Sequence, residues 1–158
     1  MPSTVQVRRA TAEEVPQITK LMQEYYAASP VPNPFSVPAM TRYLKALTVP
    51  NNPRGTLLVA LQPTTPPGQA LGGFAVAYLG YNTRALAPQV ELADLFVTAE
   101  WRRQGAARKL IRGVAAYARQ QQASRIIWQT RTSNVGAQTL YNEIATQETG
   151  WLHYAMEL

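Results

Sequence analysis

Residues 95–107, Leu-Phe-Val-Thr-Ala-Glu-Trp-Arg-Arg-Gln-Gly-Ala-Ala, constrain the fold more than any other stretch of the chain. An apolar run suited to a strand passes into a turn carrying Arg102 and Arg103, then into a helix that opens on small residues. The first N–H groups of a helix have no intrahelical acceptor and lie at the positive end of its dipole. An anion can therefore sit there where no bulky side chain intervenes. Gly105, Ala106 and Ala107 keep that approach open. Other nucleotide loops do not fit, because the chain has no G-x-G-x-x-G with an acid about 20 residues later and no G-x-x-x-x-G-K-[ST].

Charge gathers around the same stretch. The net charge is +6, and between Trp101 and Asn142 there are eight basic residues and no acidic one: Arg102, Arg103, Arg108, Lys109, Arg112, Arg119, Arg125 and Arg131. A ligand with several phosphates would be drawn there, although a basic helix face in water accounts equally well for those beyond Arg103. With 158 residues the chain is expected to form one domain, 1–158. The absence of cysteine excludes disulfides and thiolate chemistry, and no metal site is expected. The densest apolar stretch, Phe74 to Tyr81, is too short to span a bilayer, and the first nine residues lack a secretory signal's apolar run. A cytoplasmic protein with no membrane partner is expected.

Val5 to Arg9 reads as a strand, and Thr11-Ala-Glu-Glu14 as a capping box opening a helix to about Ala28, with Ile18, Leu21, Met22 and Tyr25 on its inner face. Pro30, Pro32, Pro34 and Pro38 enforce a loop, and a short helix is expected from about Pro38 to Leu47. Thr56–Gln62 and Leu71–Tyr81 read as antiparallel strands joined by the turn-rich segment Pro63–Gln69. Val90–Thr98, a helix over Gly105–Gln122 and Arg125–Arg131 form a βαβ crossover, which implies parallel pairing. A last helix starts near Asn134, and Trp151–Glu157 reads as a terminal strand. The class is α/β (α+β), with about six strands in a mixed, twisted sheet flanked by about four helices.

The arrangement Arg102-x-x-Gly105-x-Ala107, this order of elements, the Asp-Leu-Phe-Val strand and the N-x6-Y spacing from Asn134 to Tyr141 resemble the GNAT-superfamily N-acetyltransferases. The likeness extends to their polyamine/diamine and histone-or-amino-acid acetyltransferase branches. It implies an enzyme that moves the acetyl group of acetyl-CoA to a primary amine by direct attack in a ternary complex, and a homodimer. The cofactor-binding residues it implies are the backbone of Leu95, Phe96 and Val97, the turn Arg102, Arg103, Gln104, Gly105, Ala106 and Ala107, and Asn134. An amide near Leu95 would polarise the acetyl carbonyl. Tyr141 is the implied proton donor to the thiolate, a phenol with an ordinary pKa of about 10 being protonated at neutral pH. Asn134 also suits the N-cap of the last helix.

The base is less plain. The polyamine branch carries a Glu-Asp pair before the apolar strand residues, whereas this chain reads Ala93-Asp94. Strand alternation puts Glu91 on the face of Ala93, from which it could act through water, and Asp94 on the opposite face. Catalysis is thus expected from Tyr141 and Glu91. The acceptor wall is expected from Glu24, Tyr25, Tyr26 and the proline-rich loop, with Asp94, Tyr78 and Tyr81 from the middle strands. His153, the one histidine, could relay a proton. Two other classes stay open: a sensor that binds acyl-CoA without catalysis, favoured by the missing glutamate, and a basic nucleic-acid-binding module. The latter lacks a recognition-helix motif or an aromatic stacking platform.

Overall fold

In the computed structural model, residues 4–31, 33–63 and 70–158 are described. Pro32 and most of the expected 63–69 turn lie outside them. The chain divides into two compact units, Met1–Trp128 and Gln129–Leu158.

The first unit is built on a five-stranded sheet in the order β1 (Gln6–Arg9), β2 (Gly55–Leu61), β3 (Gly73–Asn82), β4 (Ala87–Val97) and β5 (Ile126–Ile127). The first three pairings are antiparallel and β4–β5 is parallel, as the crossover required. Helices α1 (Val15–Ala27) and α2 (Val37–Leu47) cover one face, where Ile18, Met22, Leu44 and Leu47 pack with Leu57, Val59, Phe74 and Val76 in one buried cluster. Helix α3 (Ala106–Gln120) buries Leu110, Ile111, Val114 and Ala118. It lies close on the sheet, since a Cβ at Gly113 would come within 2.9 Å of Val7 Cγ1 and 3.0 Å of Leu58 Cδ1. Each large apolar side chain so buried stabilises the fold by roughly 1.5–3 kcal/mol.

Local signals set the helix starts. Glu14 Oε1 accepts from the N–H of Thr11 at 2.8 Å and from its hydroxyl at 2.9 Å, closing a 3-10 turn (Ala12–Glu14) that leads into α1. Ser36 Oγ accepts from the Ala39 N–H at 3.3 Å, and Pro38 falls in the first turn of α2, where an N–H is dispensable. Arg8 adds a two-pronged bond to Glu14, at 2.8 and 3.1 Å. Burial works to raise the Glu14 pKa, but the Arg8 and Thr11 donors outweigh it and hold the carboxyl below its usual range. A lowered folded pKa means that this stabilisation is complete above the unfolded value of about 4.3 and is lost as pH falls through the folded value. Glu14→Gln is therefore expected to cost about 1 kcal/mol at neutral pH, and thermal melts should show the gap closing below about pH 4. A gap that persists in acid would contradict this.

Two expectations are corrected. β5 spans two residues instead of Arg125–Arg131, because its ladder with β4 stops at Glu91↔Ile127. Trp151–Glu157 forms no strand: the segment has alternating apolar side chains, but no ladder forms along it, and Trp151, Leu152, Tyr154 and Met156 are exposed. The second unit holds α4 (Val135–Ile144), so the helices number four and the strands five among the described residues. No helix among these residues is long and apolar enough to cross a membrane.

Candidate functional site

The register between β3 and β4 shifts at Val76/Ala77: Val76 faces Asp94, Ala77 faces Leu92, and Ala93 is an extra residue. A bulge of this kind bends and twists its strand. The parallel ladder with β5 ends just before it, at Glu91↔Ile127, so from Leu92 to Val97 β4 has no strand on that side among the described residues. The Thr98 N–H donates to the Gly72 carbonyl at 2.9 Å, toward β3. Alternation then turns the backbone groups of Leu95 and Val97 to the open edge, while those of Phe96 face β3. The Val97 carbonyl accepts from Arg102 Nε at 3.3 Å, which ties the strand end to the turn.

That turn carries two left-handed residues, Arg103 (φ 59°) and Gly105 (φ 79°), separated by Gln104, whose side-chain amide donates to the Glu100 carbonyl at 2.9 Å. Backbone turns of this sort direct N–H groups into a concavity suited to anions. Gly105 caps α3, its carbonyl accepting from the Lys109 N–H at 3.0 Å. The N–H groups of Gly105, Ala106 and Ala107 precede the first intrahelical donor, the Lys109 N–H, and have no acceptor within the helix. A Cβ at Gly105 would meet nothing within 4 Å, so the space before the helix is open. Ala106 is buried, Ala107 half-buried, and Arg102 and Arg103 are exposed. Behind the turn, a Cβ at Gly72 would overlap the Trp101 indole, and Thr98 Oγ1 is buried with no hydrogen-bond partner among the described residues. The basic set divides: Lys109 Nζ clamps the Val5 carbonyl at 2.7 Å and Arg125 Nε the Gln89 side chain at 3.1 Å, whereas Arg112 and Arg119 are exposed on α3.

The bulge also overturns the expected faces of the two acids. Tyr78 pairs with Glu91, Val76 with Asp94 and Phe74 with Phe96, so Glu91, Asp94 and Phe96 share the face that α1 and α2 cover. Simple alternation fails because Ala93 inserts one residue between them. Tyr25 packs edge-on to Phe74 with ring centres 6.3 Å apart and lies 5.8 Å from Phe96. The Tyr26 hydroxyl lies beside Asp94, and the Tyr43 hydroxyl donates to that of Tyr78. Burial raises the Asp94 pKa, opposed by the Tyr26 bond and reinforced by the Glu91 charge. Burial likewise raises Tyr26 and Tyr78, helped at Tyr26 by Asp94 and at Tyr78 by Tyr43. Glu91 itself is exposed. A cleft of about 320 Å³ opens between Tyr26, Pro34, Phe35, Met40 and Tyr43.

Other residues fall elsewhere. Glu24 is exposed on α1, and Tyr81 lies at the β3–β4 hairpin end, opposite Pro88 and 60% exposed, on the sheet face opposite to Tyr78. His153 belongs to the exposed terminal segment of the second unit. In that unit Asn134 caps α4, its Oδ1 accepting from the Ala137 N–H at 3.4 Å and its Nδ2 donating to Thr130 Oγ1 at 3.2 Å. Tyr141 is half-buried on α4, and burial raises its pKa. Sequence reasoning missed Tyr43 and reached Phe35 only as part of the proline-rich loop. Tyr43 sits one helical turn before Leu47, a spacing that reads only as core.

Comparison with known proteins agrees with this geometry. The profile of the Acetyltransferase (GNAT) family matches residues 17–145, and the chain belongs to that family. N-acetyltransferase 8 of Homo sapiens is 40% identical over 62 residues, and N-acetyltransferase 8B of Rattus norvegicus 39% over 62. The match covers 39% of this chain in each case but only 27% and 28% of those proteins. Among solved structures, aminoglycoside N-acetyltransferase AAC(6')-Iy in complex with CoA superposes with a TM-score of 0.76 at 17% identity, covering 97% of this chain and 94% of that one. Ribosomal-protein-alanine N-acetyltransferase from Brucella melitensis biovar Abortus 2308 gives 0.75 at 18%, covering 98% and 99%. At these identities the likeness is one of fold.

Proposed function

We propose that the protein transfers the acetyl group of acetyl-CoA to a primary amine, of a small amine, diamine, amino acid or lysine side chain, by direct attack in a ternary complex. The observation that carries this reading is the open edge of β4 running into the left-handed Gly105 turn. A strand edge can pair with the amide-bearing arm of coenzyme A, and the helix start can take its pyrophosphate. The residues fit the group: Gly105 leaves the cradle clear, and Arg102 and Arg103 are exposed beside it. Leu95 and Val97 would pair with the arm, Gln104, Ala106 and Ala107 would line the phosphate site, and the family pattern adds Asn134.

Acetyl-CoA, when bound, supplies a thioester carbonyl, at which the C–N bond forms as the C–S bond breaks. The Leu95 N–H holds the carbonyl oxygen as negative charge develops there. Alkyl ammonium groups have a pKa of about 10.4, so the amine must first lose a proton. Asp94, whose raised pKa makes it a stronger base than an ordinary carboxylate, takes that proton, and exposed Glu91 on the same face passes it to water. Tyr141 gives its phenolic proton to the departing sulfur. Burial keeps that phenol protonated at neutral pH. A non-catalytic sensor was suggested by the missing glutamate, and the bulge that sets Glu91 beside Asp94 removes its motive.

Tyr141→Phe is expected to lower kcat by about 10²–10⁴-fold with the KM for acetyl-CoA nearly unchanged. Steady-state thiol release measures both, and an unaltered kcat would sink the role of Tyr141.

A further inference from the structure

We infer that the acceptor is an amine with a single positive charge and an apolar or aromatic body, bound in the cleft between the end of α1, the loop at 33–36 and the start of α2. The inference rests on the acetyl-transfer reading for its catalytic meaning, but the cleft's chemistry stands on its own. Its aromatic and apolar walls are Tyr26, Pro34, Phe35, Met40 and Tyr43; Asn33 and Ser36 at the rim are polar but neutral, so none of the lining residues carries a charge. Tyr26 and Phe35 pack with ring centres 6.1 Å apart, which makes one wall a continuous aromatic surface.

Among the described residues, negative charge comes near the cleft through its two tyrosines. Tyr43 bonds to Tyr78, Tyr78 stands opposite Glu91 with Asp94 next on the same sheet face, and Tyr26 lies beside Asp94, so both tyrosines of the cleft lead to the same pair of carboxylates. Asp94 with its neighbour Glu91 can hold one ammonium group, and the faces of Tyr26 and Tyr43 favour a cation further. The remainder of the ligand must lie along Phe35 and Met40. A second or third ammonium there would give up hydration and find only the neutral Asn33 and Ser36 side chains, with no opposite charge, which costs more than an apolar contact regains. At about 320 Å³ the cleft is at the small end of ligand sites, enough for one ring and a short arm. Spermidine and aminoglycosides, with their several charges, are the wrong shape of charge for it. Phe35 is half-buried in a loop outside the regular elements and packs on the core from there, so its truncation removes a contact without breaking a helix or strand.

The test is equilibrium binding to the intact protein, followed by intrinsic fluorescence or calorimetry, for 2-phenylethylamine, spermidine and kanamycin. 2-Phenylethylamine is expected to bind at least tenfold more tightly than either polycation, and Phe35→Ala to weaken it at least fivefold in a protein that still melts cooperatively. A smaller preference in the natural chain, or an affinity that Phe35→Ala leaves unchanged, overturns the inference. Thiol release from acetyl-CoA is measured alongside. Selective binding without release with any amine would uphold the cleft and refute acetyl transfer; release without the binding preference would do the reverse.

Discussion

Asp94→Asn is expected to reduce acetyl transfer by about 10²–10⁴-fold while leaving the protein at least as stable at neutral pH. The two effects share one cause. Burial raises the Asp94 pKa, so in the folded protein the charged form is held at a cost. With the folded pKa above the unfolded value of about 3.9, the native state binds more protons between the two, and stability falls as pH rises through that window. Above it the full cost applies. Asparagine is neutral, nearly the same shape and still able to meet the Tyr26 hydroxyl, so the cost disappears together with the base. Melting temperatures taken from pH 4 to 8 should show the variant gaining on the natural protein as pH rises. A variant that melts lower at neutral pH, or that keeps its kcat, would show that Asp94 is held for structure alone.

Gly105→Val should separate donor binding from folding. Gly105 sits at φ 79°, a conformation that costs a side-chain-bearing residue about 1–2 kcal/mol. The added atoms would meet no protein neighbour within 4 Å of the Cβ, so strain is the main structural penalty. They would project into the space where the pyrophosphate is proposed to sit. Losing one hydrogen bond to a charged group is worth about 1.5–3 kcal/mol, or roughly ten- to hundredfold in affinity. The expected result is a KM for acetyl-CoA raised by that factor or more, in a protein that still melts cooperatively. Unchanged affinity for coenzyme A, measured by calorimetry, would remove the turn from the donor site.

Much of this arrangement is legible in the residues. Pattern and capping place α2 and the end of α1 within a residue, the first turn after Thr11 being 3-10, and the strand–turn–helix of 95–107 marks the proposed anion cradle before any geometry is known. What the sequence conceals is the bulge. Ala93 carries no signal that it is an extra residue, and one inserted residue reverses every face assignment beyond it, so Glu91 and Asp94 read as opposed when they are neighbours. The same insertion ends the β4–β5 ladder after two pairs, which a periodicity argument on Arg125–Arg131 cannot anticipate. Trp151–Glu157 fails differently: alternation specifies side chains, whereas a strand also needs a partner. The basic stretch after Trp101 shows the limit of counting charge, since Lys109 and Arg125 bond to the protein's own carbonyl and amide groups.

The central claim is acetyl transfer from acetyl-CoA to an amine, and the direct measurement is thiol release at neutral pH with 2-phenylethylamine as acceptor, in parallel for the natural chain, Asp94→Asn and Tyr141→Phe. The account predicts release that requires both the amine and acetyl-CoA, yields the N-acetyl amide in equal amount by mass spectrometry, and falls by two orders of magnitude or more in either variant. Release at the rate of the protein-free control across a panel of primary amines, amino acids and lysine peptides would contradict it.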